Sequence, residues 1–249
     1  KVWIKYGSRI VNGSAGPKLH VNTHWPHRCW FDLSLENLST IELKRLRETK
    51  WLDGVPQSAG MAIFSYTHNK ADNGAALQGW KLVEKQLLEN QWRCTSQQLA
   101  MYKKLQSSDG LETEIRSSFE VVSVRSAEEI KQWVNISSEA FDYCIDDAVI
   151  ANLIYDIDIQ ILLAYENEKP VASALLYKTD DIIGLHQMGV KRAFQGQGIA
   201  KYFMQKIIAK SVFWKGNYIV LQASQAGKPL YKRLGFVAQF TINNYKKLC

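Results

Sequence analysis

Cysteine and proline are both scarce. Five prolines occur in 249 residues, and the four cysteines (Cys29, Cys94, Cys144, Cys249) stand far apart with no Cys-x-x-Cys pair. That spacing excludes a disulfide framework and a zinc ribbon. It points to free thiols in a reducing compartment, so a cytoplasmic location is expected. No run approaches the ~18 uncharged apolar residues of a membrane span, and residues 1–6 lead into Gly, Ser and Arg without the apolar stretch of a signal peptide. Low-complexity tracts and short-period repeats are absent as well. One sign of charge disappears late in the chain: after Asp181 there is no carboxylate side chain. What remains is ordinary globular material, 46% hydrophobic, 22% charged and 11% aromatic, too apolar for a disordered chain. At about 150 residues per domain, the length fits one large domain or two small ones.

The charge is unevenly spread. Residues 1–110 carry 15 basic and 9 acidic side chains, residues 111–181 carry 5 and 15, and residues 182–249 carry 11 and none. Such a sign change suggests two partners, an anion at the last third and a cation near the acidic middle. Nucleic acid is not expected, because the basic residues form no dense run and no zinc-finger, RRM or KH signature occurs. A small phosphorylated cofactor accounts for the same charge with fewer residues.

Ser107-Ser-Asp-Gly110 is a turn-rich cluster between two patterned regions. We therefore expect an amino-terminal domain over 1–106, a linker over 107–116 and a second domain over 117–249. In the second region, alternation predicts a strand over 119–124. Ser126 followed by Glu129 forms a capping-box pattern that opens a helix over 127–140. A short helix over 146–155 follows, then a hairpin of two apolar runs at 160–165 and 171–177, and a strand over 182–190. Ala200, Phe203, Met204, Ile207, Ile208, Ser211 and Val212 form one stripe of a helix over 196–214. A strand over 218–223, a short helix over 227–234 and a strand over 236–246 complete the order. The expected fold class is α/β (α+β), with a mixed, mainly antiparallel sheet flanked by helices. In the first region, 23–31 reads as an edge or bulged strand because of Pro26. Helices are expected over 34–50 and 76–90, and a strand over 92–105. Both regions end in a helix, an aromatic after a turn and a strand, which suggests that the first is a reduced copy of the second.

The segment Val190-Lys-Arg-Ala-Phe-Gln-Gly-Gln-Gly-Ile-Ala200 joins a strand directly to an amphipathic helix. At a helix start several backbone N–H groups lack intrahelical partners, and the helix dipole adds positive charge. Gly196 and Gly198 keep side chains away from those groups, so the segment suits a diphosphate. A Rossmann fingerprint needs a third glycine and a later acid, and a P-loop needs Gly-Lys-Ser/Thr. All of these are missing, which disfavours NAD and ATP.

Gln195-x-x-Gly198-x-Ala200 resembles the acyl-CoA-binding motif of the GCN5-related N-acetyltransferases. Downstream, the run from Leu221 to Phe236, ending Leu-Tyr-Lys-Arg-Leu-Gly-Phe, looks like a second signature of that family. The resemblance covers about residues 117–249. It implies the family's sheet, acetyl-CoA as acyl donor and transfer to an amine by direct attack in a ternary complex. It further implies that Met188, Gly189 and Val190 give backbone hydrogen bonds to the pantetheine arm and the thioester oxygen. Gln195, Gly196, Gln197, Gly198, Ile199, Ala200 and Lys201 would surround the diphosphate. Ser224 stands where many members carry Asn, so its contact with the arm is a departure from the pattern.

Tyr231 aligns with the motif tyrosine that lies near the cofactor sulfur, and a phenol stays protonated at neutral pH. His186 sits on the strand next to the reaction centre, with an ordinary pKa near neutrality that makes it a candidate base. Glu139 and Asp142 lie where the family binds its acceptor, and their charge suits a cationic amine. No metal is expected: His20, His24, His27 and Cys29 match no zinc module. The expected acceptor is a small-molecule amine, with a protein or peptide amine as the alternative. A non-catalytic acyl-CoA sensor is the reading from another class. No membrane partner is expected, and the protein would be a monomer or homodimer.

Overall fold

A computed structural model describes residues 2–11, 18–22, 24–31, 39–48, 50–65, 74–111 and 117–248. Along the chain the elements are α1 (Val2–Lys5), β1 (Arg9–Ile10), β2 (Leu19–Val21), β3 (Arg28–Phe31), α2 (Thr40–Glu48), β4 (Gly60–Ser65), α3 (Gly74–Glu89) and β5 (Trp92–Lys104). They continue with β6 (Phe119–Ser123), α4 (Ala127–Phe141), α5 (Asp147–Leu153), β7 (Ile159–Glu166), β8 (Lys169–Thr179) and β9 (Ile182–Val190). The last are α6 (Ile199–Phe213), β10 (Tyr218–Ala223), α7 (Lys228–Arg233) and β11 (Val237–Lys247). The chain divides into two compact units, Lys1–Ala100 with Gln239–Cys249, and Met101–Ala238.

In the first unit the strands run in the order β1-β2-β3-β4-β11-β5. The β3–β4 pair is parallel, whereas β1–β2, β2–β3 and β4–β11 are antiparallel. Leu19, Val21, Cys29, Met61, Ile63, Val83, Leu87 and Trp92 form its core. The strand expected over 23–31 starts only at Arg28 and lies between β2 and β4, not at an edge. Pro26, in a cis peptide bond after Trp25, precedes the ladder and so removes no hydrogen bond from it. The strand β4 had no sequence signal. Gly60 to Ile63 are all buried, so the alternation that marks a half-exposed strand is missing. The helix expected over 34–50 is seen as α2, and residues 34–38 lie outside the described set. Ser39 and Glu42 close a capping box at its start: the Glu42 N–H donates to Ser39 Oγ at 3.2 Å, and the Ser39 N–H donates to Glu42 Oε2 at 2.8 Å. Cys29 is fully buried, and burial pushes its thiol up to about 12; His20 stacks on Trp30.

In the second unit the order is β10-β9-β8-β7-β6, with the end of β5 beside β10. The β6–β7, β7–β8 and β8–β9 pairs are antiparallel and the β9–β10 pair is parallel. The sheet is mixed and mainly antiparallel with helices packed on it, as the sequence suggests. Six consecutive residues of β8, Val171 to Leu176, are buried, which requires cover on both faces; α4 and α6 supply it. The capping box predicted at Ser126 and Glu129 is present, with the Glu129 N–H donating to Ser126 Oγ at 3.2 Å and the Ser126 N–H to Glu129 Oε2 at 2.8 Å. Ile130, Trp133, Ile136 and Ser137 form the buried stripe of α4. Trp133 Nε1 donates to the Ala174 carbonyl at 3.0 Å, and Ser137 and Ser173 share a hydroxyl hydrogen bond at 2.8 Å.

Candidate active site

The site is built where β9 parts from β10. Their parallel pairing runs from Ile182↔Tyr218 to Leu185↔Leu221 and ends there. The other side of β9 stays paired with β8 to Ala172↔Val190, with a register shift between Ser173 and Leu175. Gln187 and Met188 stand against the single Ala174 in that interval, and Gln187 has φ +51°. Such a bulge bends a strand and sharpens its twist. Residues 186–190 therefore extend past the ladder to β10, with backbone groups turned to the gap. Gly189 is needed for close approach: a Cβ there would stand 2.5 Å from the Ala140 Cβ of α4.

Beyond Val190 the chain makes a 3₁₀ turn at Arg192–Phe194 and then enters α6. Gly196 and Gly198 have φ +75° and +79°, a left-handed conformation that a right-handed helix cannot include. That is why α6 starts at Ile199 and not at the predicted residue 196. Among the described residues, and apart from the adjoining residues of the chain, no atom lies within 4 Å of a Cβ position at either glycine. The Gln195 and Gln197 amides turn back to the Val190 and Ala193 carbonyls at 3.1 and 3.0 Å. The glycines thus leave open space in front of the first N–H groups of a 15-residue helix, an arrangement that fits a diphosphate. The Tyr202 N–H is the one that closes the first turn, onto the Gly198 carbonyl at 3.1 Å.

On the far side of the gap, Ser224 Oγ accepts the Gly227 N–H at 3.1 Å and helps to start α7. Tyr231, on α7, is 8% exposed and packs edge-on against Phe236. Its hydroxyl lies 3.9 Å from Met188 Sδ. Burial pushes the phenol up to about 12, so it remains a donor across the neutral range.

His186 lies opposite Leu175 on β8. Burial pulls its imidazole down to about 4, although the residue keeps part of its surface. Glu139 and Asp142 both meet Arg192. Glu139 Oε1 accepts the Arg192 backbone N–H at 2.7 Å, and Asp142 Oδ1 lies 3.8 Å from Arg192 Nη2. Both residues thus meet the root of the phosphate-type loop. The structure also brings Phe141, Tyr143 and Gln187 to this end of β9, a grouping with no local sequence signal because Tyr143 and Gln187 are 44 positions apart. Among the described residues, no group of three or more His, Cys, Asp or Glu could hold a metal ion, and no helix is long and apolar enough to cross a membrane.

The family model of the acetyltransferase (GNAT) domain matches residues 158–238, a span that holds β9, the glycine loop, α6, β10 and α7. These residues carry a GNAT domain, as the resemblance read from the sequence implies, and such a domain implies acyl-CoA-dependent acetyl transfer. No curated protein sequence matches the chain. Among solved structures, the chain is similar in fold to a GCN5-related N-acetyltransferase from Kribbella flavida. That match has a TM-score of 0.67 at 15% identity and covers 97% of this chain and 90% of that one. It is also similar to a conserved protein of unknown function from Staphylococcus epidermidis, with a TM-score of 0.59 at 18% identity over 98% and 96% of the two chains. A GCN5-related N-acetyltransferase from Sphaerobacter thermophilus gives a TM-score of 0.56 at 16% identity, over 76% of this chain and 59% of that one.

Proposed function

We propose that the protein is an N-acetyltransferase that moves an acetyl group from acetyl-CoA to the primary amine of a small molecule, by direct attack in a ternary complex. The observation that carries this is the meeting of Tyr231 with Met188, 3.9 Å apart, where β9 leaves β10 and heads for the glycine loop. One continuous path then links an open backbone edge, a buried phenol and a helix start. Acetyl-CoA supplies an activated thioester. The backbone of Gln195 to Lys201 holds its diphosphate, and Met188, Gly189 and Val190 hold its arm and the thioester oxygen. Ser224 is the neighbouring contact on the β10 side.

The acceptor ammonium first gives one proton to water; the neutral nitrogen then forms the new bond to the acetyl carbon, the carbon–sulfur bond breaks with its electron pair going to sulfur, and the nitrogen loses a second proton, which balances the thiolate. Tyr231 Oη holds a proton beside the departing sulfur. At a phenol pKa of about 12 its first contribution is a hydrogen bond to the developing thiolate rather than full transfer. His186, neutral far below pH 7, is too weak a base to take a proton from an ammonium. In this reading it serves as a hydrogen-bonding group, and the amine's proton leaves through water. The amino-terminal region has no Gly-x-Gly loop and is assigned no cofactor.

Titration calorimetry with CoA and acetyl-CoA tests the binding half, and heat should be seen with both ligands. Tyr231→Phe tests the chemistry. Thiol release in the presence of an amine should fall about 10²-fold while the affinity for CoA is kept. Unchanged turnover would remove the role of Tyr231, and absence of heat at millimolar ligand would remove the function.

A further inference from the structure

We infer that the acceptor is a cationic amine with a flat apolar body, received on the exposed sides of the Phe141 and Tyr143 rings; this rests on the acetyltransferase reading above. Three successive residues of β9 each engage one aromatic side chain. The Tyr143 hydroxyl donates to Gln187 Oε1 at 2.9 Å, Met188 faces Tyr231, and Phe141 Cε2 lies 3.4 Å from where a Gly189 Cβ would be. The rings of Phe141, Tyr143 and Tyr231 thus gather at the end of β9 that leaves β10. The bulge at Gln187 is what gathers them.

The Phe141 and Tyr143 rings are held and partly exposed. Asp142 caps α4 in a left-handed conformation, φ +57°, which reverses the chain between Phe141 and Tyr143. Their ring centroids come within 5.9 Å at an interplanar angle of 31°, and the residues stay 38% and 41% exposed. Phe141 is seated over a glycine and Tyr143 is fixed by its hydroxyl, so their exposed faces have a set direction. Aromatic faces attract both an apolar body and a cation.

The charge at this corner limits the acceptor further. Glu139 and Asp142 bring two carboxylates, and Arg192 touches both, through its N–H and its guanidinium. The two carboxylates keep this corner acidic, which suits a cationic amine. A polyamine would bring no flat apolar body to the two rings. A peptide would bring a polar backbone to the same rings.

The test uses the full chain with three amines: phenethylamine, spermidine and trialanine. Thiol release gives kcat and KM, and calorimetry gives the affinity of CoA alone and of phenethylamine for the protein saturated with CoA. Phenethylamine should exceed the other two in kcat/KM by at least about tenfold. Phe141→Ala and Tyr143→Ala should each raise its KM about tenfold, with kcat held within about twofold and the affinity for CoA unchanged. Should those variants fail to fold, Phe141→Leu and Tyr143→Phe serve instead. The first keeps apolar bulk without a π face and should raise KM about fivefold, while the second keeps the ring and should raise it less than about threefold. A KM unmoved in the ring-removing variants overturns the inference, as does a preference for spermidine or trialanine. If CoA binds and phenethylamine does not, this inference alone fails. If CoA itself does not bind, the acetyltransferase reading fails first.

Discussion

The backbone N–H of Arg192 points at the carboxylate of Glu139, 2.7 Å away, tying the root of the glycine loop to the last turn of α4. A negative group is thus fixed beside a loop that suits an anion. Its hydrogen bond orders the loop, while its charge opposes a phosphate.

Glu139→Gln separates these two effects, since the amide oxygen still accepts the N–H but carries no charge. We expect the dissociation constant for CoA to fall about twofold to fivefold at low salt. Calorimetry decides the matter, and weaker binding by the glutamine variant would show that the carboxylate itself is required.

Gly198 combines a left-handed backbone with open space before it. Gly198→Ala should cost about 1 kcal/mol of stability through backbone strain, read as a drop in melting temperature. Gly198→Glu should show a similar drop and lose CoA binding altogether, because a carboxylate would stand where the phosphates go. A glutamate variant that still binds CoA would refute the loop assignment.

For His186 the folded-state pKa, about 4, lies below the unfolded value of 6.5. The unfolded chain then binds more protons than the folded one between those two values. Stability should be unaffected above about pH 6.5 and decline as the pH falls to 4, by on the order of 2 kcal/mol from this group. In His186→Asn that part of the acid decline should vanish in urea titrations across the range. An unaltered slope would mean that the imidazole is not desolvated.

The Ser137–Ser173 pair is fully buried, and Ser173 Oγ also donates to the Gln187 carbonyl at 3.4 Å. Either single alanine variant should lose about 1–3 kcal/mol. The double variant should lose less than the sum, since no hydroxyl is then left without its partner. Strict additivity in a double-mutant cycle would show that the pair contributes nothing as a pair.

Much of the second unit was legible because local chemistry and tertiary structure agree there. Ser126 and Glu129 mark a helix start by chemistry that needs no distant partner. The runs of β9 and β10 were read to their end residues because turns bound both. The first unit was harder to read. The strand β4 is buried from Gly60 to Ile63 and shows no alternation there, and β3 was read as an edge or bulged strand because Pro26 was counted inside a ladder that begins two residues later. At the site, the glycine loop was visible as a spacing, but the engagement of Glu139 and Asp142 with Arg192 was not. Those residues are some fifty positions apart, and only the packing of α4 on β9 brings them together.

The sequence by itself determined the elements of the second unit and the two-glycine helix entry, because capping, periodicity and the conformational freedom of glycine act within a few residues. The tertiary structure alone decided the state of the ionisable groups and the company they keep. The low pKa of His186, the persistent proton on Tyr231 and the aromatic cluster around residues 187–189 all arise from burial and from a strand bulge, and these depend on residues far along the chain.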